Sequence, residues 1–314
     1  VISKIRQLMA QPLLVITGPT ASGKTSRAVD VAKAFDAEII SADSRQVYRG
    51  MDLGTGKDLD EYGSVPYHLI DIAPAGYRYN LYEYLRDCRK ALVDIRSRGH
   101  LPLLCGGTGL YVESVCKDVR LPEVPENTLL RRQLEGKTLD ELTAILVSMQ
   151  QLHNTTDVDN ARRAVRAIEI ATYCRENPEA ALGMSGKPSD DALIIIVDIP
   201  RDARRRRISE RLRARLDAGM VDEVRRLIDG GVAPDDLIYY GLEYKFITRH
   251  VIGELSYDEM VSGLEIAIQQ FAKRQMTWFR GMERRGFRLH YLPYDLGREE
   301  FVGEVRRLAG SIGL

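Results

Sequence analysis

Residues 13–48 read LLVITGPTASGKT, then a helix-forming run, then AEIISADSRQVY, and no other stretch restricts the fold as much. Gly18-Pro19-Thr20-Ala21-Ser22-Gly23-Lys24-Thr25 is the phosphate-loop pattern, a glycine, four residues and then Gly-Lys-Thr. The apolar run Leu13-Leu14-Val15-Ile16 precedes it and a helix-forming segment, 26–35, follows, so the order is strand, loop, helix. Glycines let backbone N–H groups wrap a phosphate with no Cβ in the way, and the helix N-terminus adds partial positive charge. Lys24 supplies a full charge, and the Thr25 hydroxyl is placed for a phosphate-bound Mg²⁺. A di- or triphosphate ligand is expected. Whether that group is hydrolysed, transferred or expelled is not fixed by the loop.

Further apolar strands are expected at 38–41, 67–72 and 101–105, with a helix over 81–98. Strands alternating with helices predict an α/β fold, a parallel sheet covered on both faces, with ligands at the carboxyl ends of the strands. The loop, Asp43 and the turn Gly106-Gly107-Thr108-Gly109 should then gather at one edge. From about residue 118 the pattern changes. Pro122 and Pro125 break the chain, and 129–177 reads as helical throughout. Residues 119–191 are therefore read as a helical insertion, closed by a loop over 177–190 that contains Pro178, Gly183, Gly186 and Pro188. The core comprises 1–118 and 192–314. It regains a strand at 193–197, helices at 202–218, 221–229 and 257–283, a last strand at 287–292 and a terminal helix.

Lys plus Arg and Asp plus Glu are both 45, so a nucleic-acid partner must be held by local basic patches and not by a global field. Residues 1–18 carry no long apolar segment with a small-residue cleavage site, and no run approaches a membrane span, so a cytoplasmic protein is expected. Cys88, Cys105, Cys116 and Cys174 form no CxxC pair and no cluster with histidine, which argues against a disulfide framework or zinc site.

Beyond the loop, Asp43 ends an otherwise apolar strand. It can cap the next helix or act as a general base, and the residue alone does not separate the two. Ser44, Arg45, Gln46 and Tyr48 put several polar groups on the same short turn, which suits reading the edge of a base. Thr108 either belongs to a plain strand-to-helix turn or sends its hydroxyl to the same phosphate. In the basic run RDARRRRISERLRAR (201–215), Arg207 and Arg211 are four apart and share a face, so either could clamp a diphosphate. KRQMTWFR (273–280) joins three cations to the one tryptophan, Trp278, a pattern of nucleic-acid contact or of a buried indole with snorkelling neighbours.

GPTASGKT, ISADSRQVYRGMDLGTGK, LLCGGTGLYV, RISERLRARLDAGMVDEV and AKRQMTWFR, in this order and spacing, resemble the tRNA dimethylallyltransferases, also called tRNA isopentenyltransferases. The resemblance spans nearly the whole chain. It implies a P-loop, nucleotide-kinase-like core with a tunnel and a tRNA-facing helical insertion. The implied reaction moves a dimethylallyl group from dimethylallyl diphosphate to the exocyclic N6 of the adenosine on the 3′ side of the anticodon, with Mg²⁺. Asp43 then matches the general base, Thr108 and Arg211 match diphosphate contacts, and residues 18–25 match the cradle. Asp43, Ser44, Arg45 and Gln46, Arg162, Arg163 and Arg166, and Lys273, Arg274, Gln275 and Arg280 match segments that touch the tRNA anticodon stem-loop. Where many members read Gly-Tyr-Arg-Gln, this chain has Gly241-Leu242-Glu243-Tyr244, an anion in place of a cation near the expected RNA surface. A monomer without membrane contact is expected. The alternatives are a prenyltransferase acting on free AMP, ADP or ATP, a small-molecule or nucleotide kinase, and an RNA-binding module that uses nucleotide only as a switch.

Overall fold

The computed structural model describes residues 12–149, 158–182, 184, 186–189 and 191–310. The sequence reading of residues 1–11, and the parts of the 129–177 helical run and the 177–190 loop at residues 150–157, Gly183, Ser185 and Asp190, lie outside these. Two compact units are present, Val1–Lys117 with Lys187–Leu314, and Asp118–Gly186.

The larger unit begins with β1 (Leu13–Thr17), α1 (Lys24–Phe35), β2 (Ala37–Ser41), β3 (Tyr67–His68), α2 (Leu81–Ser97), β4 (Leu101–Gly106) and α3 (Gly109–Cys116). All five residues of β1 are buried, as a strand covered on both faces requires. With β5 (Ala192–Asp198) and β6 (Leu289–Pro293) it lies in a six-stranded sheet that is parallel throughout, in the order β3-β2-β4-β1-β5-β6. A capping box of Asn80 and Glu83 starts α2. The expected strand at 67–72 stops at His68, because Leu69 and Asp71 adopt positive φ, 62° and 55°. Buried Lys57 accounts for that departure. Its ammonium donates to the Tyr48 carbonyl (2.6 Å), to Asp52 (2.7 Å) and to Asp71, which draws the segment out of the ladder.

The smaller unit holds α4 (Thr128–Leu134), α5 (Leu139–Met149) and α6 (Ala161–Glu176). The run expected to be helical throughout is broken at Glu135, which is extended, and at Gly136, with φ 76°. Leu134, Leu142, Leu146, Ala164, Ala167 and Ile168 form its core. Within it, the fully buried Glu169 accepts from Arg131, Arg166 and the Asn127 amide.

The chain then returns to the sheet with β5 (Ala192–Asp198), followed by α7 (Arg201–Asp217), α8 (Met220–Asp229), α9 (Pro234–Tyr240), α10 (Leu242–Val251), α11 (Tyr257–Arg284), β6 (Leu289–Pro293) and α12 (Arg298–Ala309). Helices α9 and α10 were not expected from the sequence. Helix α11 spans 28 residues and starts with a Ser256/Glu259 capping box. It buries Met260, Leu264, Ile268 and Ala272 in a cluster with residues of α7 to α10. Among the described residues, no helix is long and apolar enough to cross a membrane.

Candidate active site

The loop between β1 and α1 turns at Gly23, whose φ of 84° is a left-handed value that glycine adopts without the steric cost of a Cβ. Its neighbours come from the ends of two other strands. The Ala42 amide donates to the Cys105 carbonyl (2.7 Å), and the Thr108 amide to the Ala42 carbonyl (3.1 Å). Gly106 is required by this approach, since a Cβ there would run into the Ala42 backbone. The Thr108 hydroxyl accepts from the Ser44 amide (3.1 Å), and the Asp43 carboxylate from the Arg45 amide (2.9 Å). Asp43 is thus held by its own turn, with its remaining acceptor capacity free for a ligand.

These strand ends open into one cavity of about 580 Å³. Thr20, Lys24 and Thr25 line it from the loop, Asp43, Ser44, Arg45 and Gln46 from the turn after β2, and Thr108 from the turn after β4. Helix α7 contributes Arg207, Arg211 and Arg215 at successive i,i+4 positions, so all three project from one face. Arg211 donates to the Thr20 hydroxyl, and Arg215 to Asp58 at 2.9 Å. Ile268 and Phe271 of α11, with Leu242, supply an apolar stretch of wall. The sequence pairing of Arg207 with Arg211 is therefore completed by Arg215, one turn further on, which the same spacing could have found.

Five cations and five carboxylates line the cavity, but the cations are clustered, three of them on one face of α7. Burial lowers the Lys24 ammonium, with Cys105 and Asp43 opposing the shift. Burial, with the neighbouring Arg215 guanidinium, brings Arg211 down to about 10. Clustered, partly desolvated cations gain from an anion placed among them. Burial also pushes the Cys105 thiol up to about 12, which disfavours the thiolate.

Several expected RNA contacts lie elsewhere. Gln275 is buried, accepts from the Thr20 amide through Oε1 (2.8 Å) and donates to the Gly107 carbonyl through Nε2 (2.8 Å). It clamps the phosphate loop to the Thr108 turn and lines the cavity. Arg166 is spent on Glu169 and the Val124 carbonyl, and Arg163 pairs with Asp159. Arg162, Lys273, Arg274 and Arg280 are exposed. Trp278 is 38% exposed, with Arg285 stacked 5.5 Å from its ring centre. Glu243, expected near an RNA surface, instead lines the cavity. Glu61 and Asp58 also line it and were not anticipated. Burial, with Asp58 beside it, raises Glu61 above the usual carboxylate range.

The parallel sheet, with a glycine-rich loop and a polar cleft at the carboxyl edge of its strands, defines an α/β protein. Residues 46–282 match the IPP transferase family model and residues 11–62 the Isopentenyl transferase model. The tRNA dimethylallyltransferase 2 of Bacteroides fragilis is 58% identical over 299 residues, covering 94% of this chain and 97% of the relative. A solved tRNA isopentenylpyrophosphate transferase from Bacillus halodurans superposes with a TM-score of 0.71 at 30% identity, over 96% of each chain. A eukaryotic dimethylallyltransferase solved acting on tRNA has the same fold, with a TM-score of 0.78 at 21% identity over 96% of this chain and 78% of that one. This chain belongs to the IPP transferase family, the tRNA dimethylallyltransferases.

Proposed function

We propose that the cavity transfers a dimethylallyl group from dimethylallyl diphosphate to the exocyclic N6 of the adenosine 3′ to the anticodon in tRNA, releasing diphosphate. The observation that carries this reading is that one cavity joins a cation-lined phosphate cradle, an apolar stretch at Ile268 and Phe271, and an anchored carboxylate, Asp43. The amine nitrogen attacks the allylic carbon, the carbon–oxygen bond to diphosphate breaks, and the amine proton passes to Asp43. An adenine amino group is a poor nucleophile because its lone pair is delocalised, and a positioned base contributes roughly 10²–10⁴-fold. On the other side Lys24, Arg211, Thr108 and the loop amides stabilise the charge that builds on the departing diphosphate, usually the dominant effect in such sites.

The donor set fits Mg²⁺. Thr25 faces the cavity, the buried Ser22 hydroxyl has no hydrogen-bond partner, and among the described residues no cluster of three or more His, Cys, Asp or Glu could hold a metal alone. That suits an ion which keeps waters and takes most of its other ligands from a phosphate. When bound there, Mg²⁺ would neutralise part of the diphosphate charge.

In this reading the enzyme is a cytoplasmic monomer. RNA is gripped by the exposed Lys273, Arg274 and Arg280, and by the helical unit through Arg162. A second reading, prenyl transfer to free AMP, ADP or ATP, is favoured by the match of residues 11–62 to the Isopentenyl transferase model. Incubation with labelled dimethylallyl diphosphate and either tRNA or AMP decides between them. Label is expected in the tRNA anticodon loop; label on AMP alone would overturn the first reading.

A further inference from the structure

Glu243 is one of five carboxylates on the cavity wall, and the one that shares a second recess with Arg211 and Arg215. Gly241 and Leu242 both adopt positive φ, 77° and 42°, where α9 turns into α10, and this turn delivers residue 243 to the cavity wall. The next residue fixes the turn in place. The Tyr244 hydroxyl donates to Glu223 (2.6 Å), whose carboxylate also accepts the amides of Asp52 (2.9 Å), Leu53 (2.7 Å) and Gly54 (3.1 Å). Glu243, Arg211 and Arg215 meet again in a smaller recess beside the main cavity. The arginines make their direct contacts elsewhere, Arg211 with Thr20 and Arg215 with Asp58, so Glu243 acts on them through space. Burial raises the Glu243 carboxyl, and Arg211 and Arg215 oppose that shift while Asp43 adds to it.

We propose that Glu243 limits how tightly the cavity holds diphosphate, its carboxylate offsetting part of the charge on Arg211 and Arg215 and so promoting release of the product. The inference rests on the reading of this end of the cavity as the diphosphate site. Its chemistry is simple electrostatics. An anion at the same wall repels a ligand of the same sign and reduces the field of the cations that attract it. An enzyme that expels diphosphate at each turnover gains from a site that does not keep it, because binding shared equally by substrate and product does not lower the barrier between them.

The test is titration calorimetry of the full chain with inorganic diphosphate, for the unaltered protein and for Glu243→Gln, Glu243→Ser and Glu243→Asp. Both neutral variants are expected to bind about 10-fold more tightly, equivalent to ~1.4 kcal/mol. Glu243→Asp, which keeps the charge, should stay close to the unaltered protein. In steady-state assays diphosphate should inhibit the neutral variants at correspondingly lower concentration. Having two neutral variants keeps the test decisive if one fails to fold. Equal or weaker binding in the neutral variants, with diphosphate still bound by the unaltered protein, overturns the inference alone. If the unaltered protein does not bind diphosphate, the reading of the cavity itself fails.

Discussion

Asp43 sits where a purely structural role and a chemical one make different demands on the same side chain. Its bond to the Arg45 amide is the kind that caps a turn, and asparagine could accept it equally well. Proton acceptance requires the carboxylate. Asp43→Asn is therefore expected to preserve the turn, the melting temperature and diphosphate affinity while lowering the single-turnover rate of prenyl transfer by roughly 10²–10⁴-fold. A fall in diphosphate affinity matching the fall in rate would mean that the residue shapes the cradle and does no chemistry.

At the scale of elements, helix α11 was legible as a helix, and it is both core and surface. Of Met260, Leu264, Ala267, Ile268 and Phe271, which recur at helical spacing, the first, second and fourth are buried and the other two half-buried, while the cations around Gln275 drew that residue into the expected RNA contacts. In the fold Gln275 closes the cradle from the inside, through partners 255 and 168 residues away in sequence. Gln275→Ala leaves the Thr20 amide and the Gly107 carbonyl without that partner. It should cost ~1–3 kcal/mol of stability and weaken diphosphate binding more than tRNA binding, as measured by thermal unfolding and separate titrations. The same division runs through the rest of the site. The loop, Asp43 and the Thr108 turn could be read because each is a local pattern at the end of a strand. Asp58, Glu61 and Glu243 could not, because they reach the cavity from segments shaped by distant anchors such as Lys57 and Glu223. In helix α6, RRAVR looked like an RNA grip, yet Arg166 is committed to Glu169. Burial pushes Glu169 up, but Arg131, Arg166 and the Asn127 amide outweigh it and hold the carboxyl below its ordinary range. A lowered native pKa favours the folded state fully above the unfolded value, and that contribution is lost as pH falls through the native value. Glu169→Gln should destabilise the helical unit near neutral pH and flatten its acid unfolding curve, followed by circular dichroism from pH 7 downward.

Over the whole molecule, acidic and basic residues cancel, so attraction to RNA has to be local. The exposed side chains of Lys273, Arg274 and Arg280 on α11 supply such a patch. It is extended by Arg201 and Arg205, which together with Arg280 hold the charged form of Arg204 in check after burial has already lowered it. A cation crowded by like charges gains by meeting a phosphate, which relieves the repulsion and releases counterions from the RNA. Each contact of this kind adds a little under one unit to the slope of log affinity against log salt. Replacing Lys273, Arg274 and Arg280 together by alanine should therefore reduce that slope for tRNA by about 2–3 and weaken binding broadly across tRNA sequences, with diphosphate affinity unchanged because none of the three lines the cavity. An unchanged slope would place the RNA on another face. A parallel loss of diphosphate affinity would mean that the patch and the cavity form one electrostatic site, and that the grip on RNA and the grip on the leaving group cannot be tuned apart.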